Sequence, residues 1–236
     1  NKLIYLFTLI FFGCTESVPL NSKKGLNFGI VIHGGAGTMN RKDMTPKKEK
    51  EYREALEESI TSGYKILKEG GTSQEAVEQS IRIMENSPLF NAGKGAVLTA
   101  EKTIELDAAF MNGKDLNAGA IASVKTIKNP ITAAIKVMED SPHVLLSGRG
   151  AEKFAKEKGL KIVDPSYFFT ERRVNDLDKI KNIESSANRS TKQVDKEFLT
   201  MQRYGTVGAV ALDKHGNLAA GTSTGGMANK KWNRIG

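Results

Sequence analysis

The stretch Gly205–Gly226, GTVGAVALDKHGNLAAGTSTGG, decides the fold. It is two apolar runs around a five-residue turn signal, Asp213-Lys-His-Gly-Asn217. Asp suits the first position of a type I turn, and Gly216 supplies the left-handed residue that closes such a turn with a bulge. Asp213 then pairs with Asn217, and Leu212 lies beside Leu218. Counting outward in step brings Thr206 opposite Thr224, within one residue. Directly opposed residues share a face about 5 Å apart, so the sequence predicts two hydroxyls together at the open end of a hairpin. The runs are otherwise Gly, Ala, Val and Leu, which predicts a strand pair buried on both faces. Threonine is a good strand former, which by itself accounts for an isolated pair. Here Gly205 precedes Thr206 after a long polar stretch, and Thr222-Ser-Thr-Gly-Gly226 offers backbone that a ligand can approach closely.

A threonine hydroxyl is a weak nucleophile without a base beside it. One solution is the threonine's own α-amino group, which is free only at a chain terminus. An internal Thr206 therefore points to a cut between Gly205 and Thr206. An ordinary α-amino group titrates at roughly 7.7–8.0, so part of it is neutral at pH 7 and accepts the hydroxyl proton.

Outward from the hairpin, NFGIVIHGGAG (27–37) reads as a central strand feeding a glycine-rich turn. Tyr52, Ala55, Leu56, Ile60, Tyr64 and Leu67 recur at helical spacing, with Gly70 as a stop. Thr72 and Glu75 form a capping box for a second helix, ended by Pro88. Residues 96–99, 104–111 and 118–125 read as strands, with Asn112-Gly113 as a hairpin turn. Asn129-Pro130 opens a third helix, and 150–158 a short fourth. Arg172–Tyr204 is polar, weakly periodic and reads as a mobile connector. This order of elements predicts a layered α+β sandwich rather than a doubly wound sheet.

The 236-residue chain is long enough for one substantial core, and 39% hydrophobic against 26% charged residues excludes a disordered protein. The net charge of +8 comes from lysines scattered through helical segments without an arginine-rich block, so nucleic acid is not an expected partner. Leu3–Gly13 is an apolar run of signal-peptide length, followed by Cys14. This predicts an exported protein, periplasmic or membrane-anchored: Cys14 is a lipoprotein-type lipid anchor, or the run is an ordinary cleaved export signal, or Cys14 is a buried free thiol; Phe11 departs from the usual leucine of lipoprotein sites. Cys14 is the single cysteine, so no intramolecular disulfide forms. His33, His143 and His215 have no metal-ligand spacing, and no GxSxG elbow, GxGxxG motif or P-loop occurs.

Together HGGAG, SPLFNAGKGAV, GTVGAVALD and TSTGG, in that order, resemble the plant-type asparaginase and isoaspartyl peptidase family of N-terminal nucleophile hydrolases. The likeness covers about residues 27–236. It implies a four-layer αββα sandwich and a precursor that cuts itself before Thr206, so that 27–205 and the segment from 206 become two subunits of an (αβ)2 homodimer. It implies hydrolysis of L-asparagine and β-aspartyl dipeptides without a required cofactor. By the same likeness Thr206 is the nucleophile and Thr224 its hydrogen-bonding partner. Arg234 holds the substrate α-carboxylate, the Gly226 carbonyl receives the substrate amine, and Asn91 lies near the nucleophile. Met84, Glu85, Ser87, Phe90, Ala92 and Lys94 match a loop whose backbone carbonyls hold a structural sodium ion. The family's amine-binding aspartate and the Thr-Gly pair of its oxyanion hole are expected beyond Gly236. Sugar-asparagine amidases, N4-(β-N-acetylglucosaminyl)-asparaginases, share the fold but carry TSTNG where this chain has TSTGG. A lipoprotein that binds asparagine-like ligands without turnover is the alternative outside the enzymes.

Overall fold

The computed structural model describes residues 27–35, 44–187 and 205–236. Thr45 caps the first long helix, α1 (Pro46–Lys68), accepting a hydrogen bond from the Lys48 N–H. Gly70, at φ +92°, lets the chain leave it. The predicted capping box at Thr72 and Glu75 opens α2 (Ser73–Asn86), with both reciprocal bonds present. Pro130 starts α3 (Pro130–Asp140), and α4 (Gly148–Glu157) follows the short strand β4 (Leu145–Ser147).

The other strands are β1 (Gly29–His33), β2 (Leu106–Asn112), β3 (Ala118–Val124), β5 (Val207–Leu212) and β6 (Leu218–Thr224). They form a six-stranded sheet in the order β1-β5-β6-β2-β3-β4, antiparallel except at β3–β4. The hairpin register is the expected one: Leu212 pairs with Leu218 and Val207 with Ser223, which carries Thr206 to Thr224. At the turn, the Asp213 N–H donates to the Asn217 carbonyl and Gly216 sits at φ +82°.

Helices α1, α2 and α3 lie along one face of the sheet, and α4 sits at its β3–β4 end. Val207, Ala209 and Ala211 of β5 and Ala219 of β6 point to that face and are buried among Val77, Ile81, Met84 and Ile131. Gly221 is needed here, because a Cβ would stand 3.0 Å from each of Val77, Ile81 and Ile131. The opposite face departs from the expectation of a strand pair buried on both sides. Among the described residues Val31, Met111 and Val210 of that face are 72%, 46% and 49% exposed. Thr206, Thr222 and Thr224 belong to this second face by the alternation of the strands. The described residues thus supply a helical layer and one sheet of the layered fold.

Three expectations need correction. Residues 96–99 are not a strand: the backbone is buried but pairs with the Asn91 side chain, Thr103 and Asn229. Asn112-Gly113 does not make a two-residue turn. The loop runs from 113 to 117, closed by the Asn112 N–H on the Asn117 carbonyl. The stretch read as a connector from 172 begins as a helix, α5 (Glu171–Ala187). Its apolar stripe is weak, and cations add to its anchoring. Arg172 donates to the Leu89 carbonyl and the Tyr52 hydroxyl, Arg173 to the Gly95 carbonyl, and Lys181 to the Ala100 carbonyl. Residues 188–204 of that stretch, and the N-terminal segment with Cys14, lie outside the described residues. No described helix is long and apolar enough to cross a membrane.

Candidate active site

The open end of the β5–β6 hairpin carries one connected set of hydrogen bonds. Thr206 Oγ1 donates to Thr224 Oγ1 at 3.1 Å, and Thr224 Oγ1 donates to the Gly205 carbonyl at 2.9 Å. Thr224 also accepts from the Gly226 N–H at 2.9 Å. One hydroxyl thus orients the Thr206 hydroxyl and polarises the carbonyl just before it.

Asn91 supplies a second donor to the same carbonyl. Its Nδ2 reaches the Gly205 oxygen at 2.7 Å and the Gly226 oxygen at 2.7 Å. Its Oδ1 accepts from the Val97 N–H, and its own carbonyl accepts from the Gly225 N–H. All the amide's strong hydrogen-bonding groups point at backbone, so its orientation is fixed. Gly205 must lack a side chain because a Cβ would lie 2.7 Å from that of Asn91. Gly35, at φ +116°, passes over the junction, with its Cβ position 3.6 Å from the Gly205 Cα and the Thr206 nitrogen. His33 ends β1 opposite Gly208 and is exposed.

A carbonyl that receives two donors while a hydroxyl waits beside it is arranged as an oxyanion hole is arranged, with the dipoles already aimed at the charge that develops on attack. The acceptor is the Gly205 carbonyl, the group immediately before Thr206.

The loop that carries Asn91 leaves the C-terminus of α2 and folds tightly. Gly93, at φ +53°, presses against the Glu85 carbonyl so closely that no side chain fits. Met84, Glu85, Phe90 and Ala92 are buried there, and Ser87 and Lys94 are half-buried. The two arginines of α5 clamp the loop at Leu89 and Gly95. Burial pushes the Glu85 carboxyl up to about 7, opposed by the Ile131 N–H and Asn129. It receives the Ile131 N–H at 2.9 Å and Asn129 Nδ2 at 3.0 Å, tying α2 to the start of α3 behind β6.

Beyond Gly226 the chain turns through Asn229, Trp232 and Asn233, all at positive φ, to Arg234. The Arg234 Nη1 lies 3.3 Å from the Cβ position of Gly226, so the guanidinium stands over the Gly226 backbone. The structure therefore gathers Gly205, Thr206, Thr224, Gly226, Asn91 and Arg234 at one place.

Sequence reasoning missed what lies beneath them. Asp107, Glu105 and Lys230 are buried, and Lys230 Nζ lies 3.7 Å from Asp107 Oδ2 and 3.8 Å from Glu105 Oε2. Asp107 is the strand partner of Thr224. Its carboxylate accepts the Ser123 and Gly236 N–H groups, each at 2.8 Å. The available signal was a carboxylate, Asp107, inside an otherwise apolar strand run.

Comparison with known proteins identifies the family. Residues 26–236 match the asparaginase family. The chain is 46% identical over 208 residues to the isoaspartyl peptidase of Escherichia coli (strain K12), covering 88% of this chain and 64% of that one. It is 42% identical over 225 residues to the isoaspartyl peptidase/L-asparaginase of Mus musculus, covering 94% and 64%. It is 42% identical over 212 residues to the plant-type L-asparaginase of Pyrococcus furiosus, covering 88% and 66%. The chain thus spans about two thirds of the length of these relatives. On the family match and these identities, the chain belongs to the asparaginase family, a family of hydrolases with the N-terminal nucleophile fold.

Proposed function

We propose that this protein is a self-processing threonine amidohydrolase that converts L-asparagine to aspartate and ammonia and cleaves β-aspartyl dipeptides. The observation that carries the reading is the Gly205 carbonyl, held by Thr224 Oγ1 and Asn91 Nδ2 beside the Thr206 hydroxyl. Thr206 Oγ1 attacks the Gly205 carbonyl carbon, and the oxygen takes up the negative charge against its two donors. The Gly205–Thr206 C–N bond breaks, the nitrogen receives the hydroxyl proton, and an ester joins Gly205 to the Thr206 oxygen. Water hydrolyses that ester. A free Gly205 carboxylate and a Thr206 with free amine and hydroxyl result.

The freed amine then serves as base for its own hydroxyl. Thr206 Oγ1 attacks the side-chain amide carbon of the substrate, ammonia or an amino acid leaves, and water releases aspartate from the acyl-enzyme. Arg234 suits the substrate α-carboxylate because a guanidinium donates two parallel bonds to it. The Gly226 carbonyl is the acceptor for the substrate amine.

The carbonyls of Met84, Glu85, Ser87, Phe90, Ala92 and Lys94 would hold a sodium ion. Oxygen-only donors suit a hard cation, and the tight approach of Gly93 to Glu85 fits a loop wound around one. When bound, the ion supplies rigidity to the loop that carries Asn91. We extend the reading to an (αβ)2 dimer and to export with Cys14 as the lipid anchor. Intact mass of the isolated protein reads the anchor, and sedimentation reads the assembly.

The test is ammonia or amine release by the full-length chain. L-Asparagine and β-aspartyl-leucine are turned over if the reading holds. Turnover of N4-(β-N-acetylglucosaminyl)-asparagine alone would assign the sugar amidase instead, and binding of asparagine without turnover would end the enzymatic reading.

A further inference from the structure

Arg234 has no ion-pair or hydrogen-bond partner for its guanidinium among the described residues, although the Gly236 N–H, two residues on, bonds the buried Asp107 carboxylate. Beneath it the buried charges pair with one another. Glu105 is bridged by Lys125 at 3.4 Å and approached by Lys230 at 3.8 Å. Asp107 has Lys230 at 3.7 Å. Two ammonium groups thus neutralise two carboxylates. Lys230 is 1% exposed, and its Nζ also donates to the Glu105 carbonyl at 3.1 Å. Its stem runs beneath Gly226, with Cδ 3.4 Å from the Cβ position there.

Asp107 is the carboxylate tied to the segment that carries Arg234. Its Oδ2 accepts the Gly236 N–H, two residues beyond Arg234, at 2.8 Å. The Gly236 Cα and the Arg234 Nη1 each lie 3.3 Å from the Cβ position of Gly226. A buried carboxylate without a counter-charge is strongly unfavourable, and a bidentate guanidinium is its best available partner. Burial draws the Lys230 ammonium below its usual range, Asp107 and Glu105 pull it back up, and the charge of Arg234 is felt there as a repulsion.

We propose that Lys230 is a positioning residue for substrate binding: by occupying Asp107 it keeps the Arg234 fork unpaired and free for a carboxylate. Remove Lys230, and Asp107 draws Arg234 down into the ion pair that the substrate should make. The inference rests on the amidohydrolase reading above, in which Arg234 receives the substrate α-carboxylate.

The experiment compares Lys230→Met, Asp107→Asn and the double variant in the full-length, self-cut chain, with L-asparagine as substrate. Lys230→Met should raise KM tenfold or more while kcat stays within threefold. The double variant, which also removes the competing carboxylate, should have a KM at least threefold below that of Lys230→Met. A purely structural role for Lys230 lowers kcat along with raising KM, whereas the positioning role moves KM alone. The proposal is overturned if Lys230→Met leaves KM within threefold of the parent, or if the double variant is no better than the single one. Should Lys230→Met fail to fold, Lys230→Gln takes its place under the same KM and kcat criteria. A parent chain that turns over neither L-asparagine nor β-aspartyl-leucine removes the functional reading itself, and is seen before any variant is made.

Discussion

The two ends of the β5–β6 hairpin are each organised by one polar side chain, and they differ in what that side chain holds. At the turn, the Asp213 carboxylate is buried and accepts three backbone N–H groups: Ser73 at 3.1 Å, His215 at 2.9 Å and Asn217 at 3.0 Å. Ser73 is the first residue of α2, so this carboxylate staples the turn to a helix N-terminus, where negative charge is favoured. These three donors are backbone groups in fixed places. At the open end, Thr224 is also enclosed, but it sits between a second hydroxyl and a peptide carbonyl. The first arrangement stabilises a fold. The second holds the carbonyl of the bond that the proposed function cuts, and the same strands set both.

Breaking the open end should change chemistry and leave the fold. Asn91→Ala and Thr224→Val each remove one donor from the Gly205 carbonyl. Each should slow self-cleavage by about 10²–10³-fold, the usual cost of one oxyanion-hole donor. Gel electrophoresis over time after purification reads the rate, and circular dichroism should show an unchanged fold. A cleavage rate within threefold of the parent would mean that these donors do not act on the bond.

Breaking the turn should do the opposite. Asp213→Ala leaves three N–H groups without their charged acceptor and should cost about 2–3 kcal/mol of stability, with self-cleavage at 20 °C near the parent rate. Burial alone would raise the Asp213 carboxyl, but the three N–H bonds outweigh it and hold it below its ordinary 3.8. The sign follows: its contribution is complete above that ordinary value and is lost as pH falls through the lowered one. The parent should therefore lose stability more steeply than Asp213→Ala on acidification below about pH 4. Equal acid limbs in urea titrations would contradict this. The smallest effect belongs to the neighbouring cap. Thr72→Ala removes the hydroxyl that accepts from the Glu75 N–H and should cost about 1 kcal/mol, read as a lowered melting temperature with no change in cleavage.

The same contrast explains what was legible in the sequence. Asp213 to Asn217 fixes a loop length, a loop length fixes a register, and a register brings Thr206 to Thr224. The helix starts at Thr72 and Pro130 were legible because caps are local chemistry. Ala96–Thr99 misled because burial alone does not make a strand: its groups bond to Asn91, Thr103 and Asn229 instead. The helix α5 was hidden because its few buried apolar residues, such as Leu177 and Ile180, leave a weak stripe, and its arginines work through backbone carbonyls far away in sequence. Lys230 and Asp107 meet only through tertiary folding, and nothing in their spacing announces it. The exposed second face of the sheet follows the strand alternation, but the composition of the strands had not distinguished one face from the other.

The central claim is that Thr206 begins a chain. Intact mass and N-terminal sequencing of the purified full-length protein test it most directly. The account predicts two polypeptides separated between Gly205 and Thr206, with threonine as the new N-terminus, and a single uncut chain for Thr206→Ala. An uncut parent, a cut at another bond, or a Thr206→Ala chain that is still cut at this bond would contradict it.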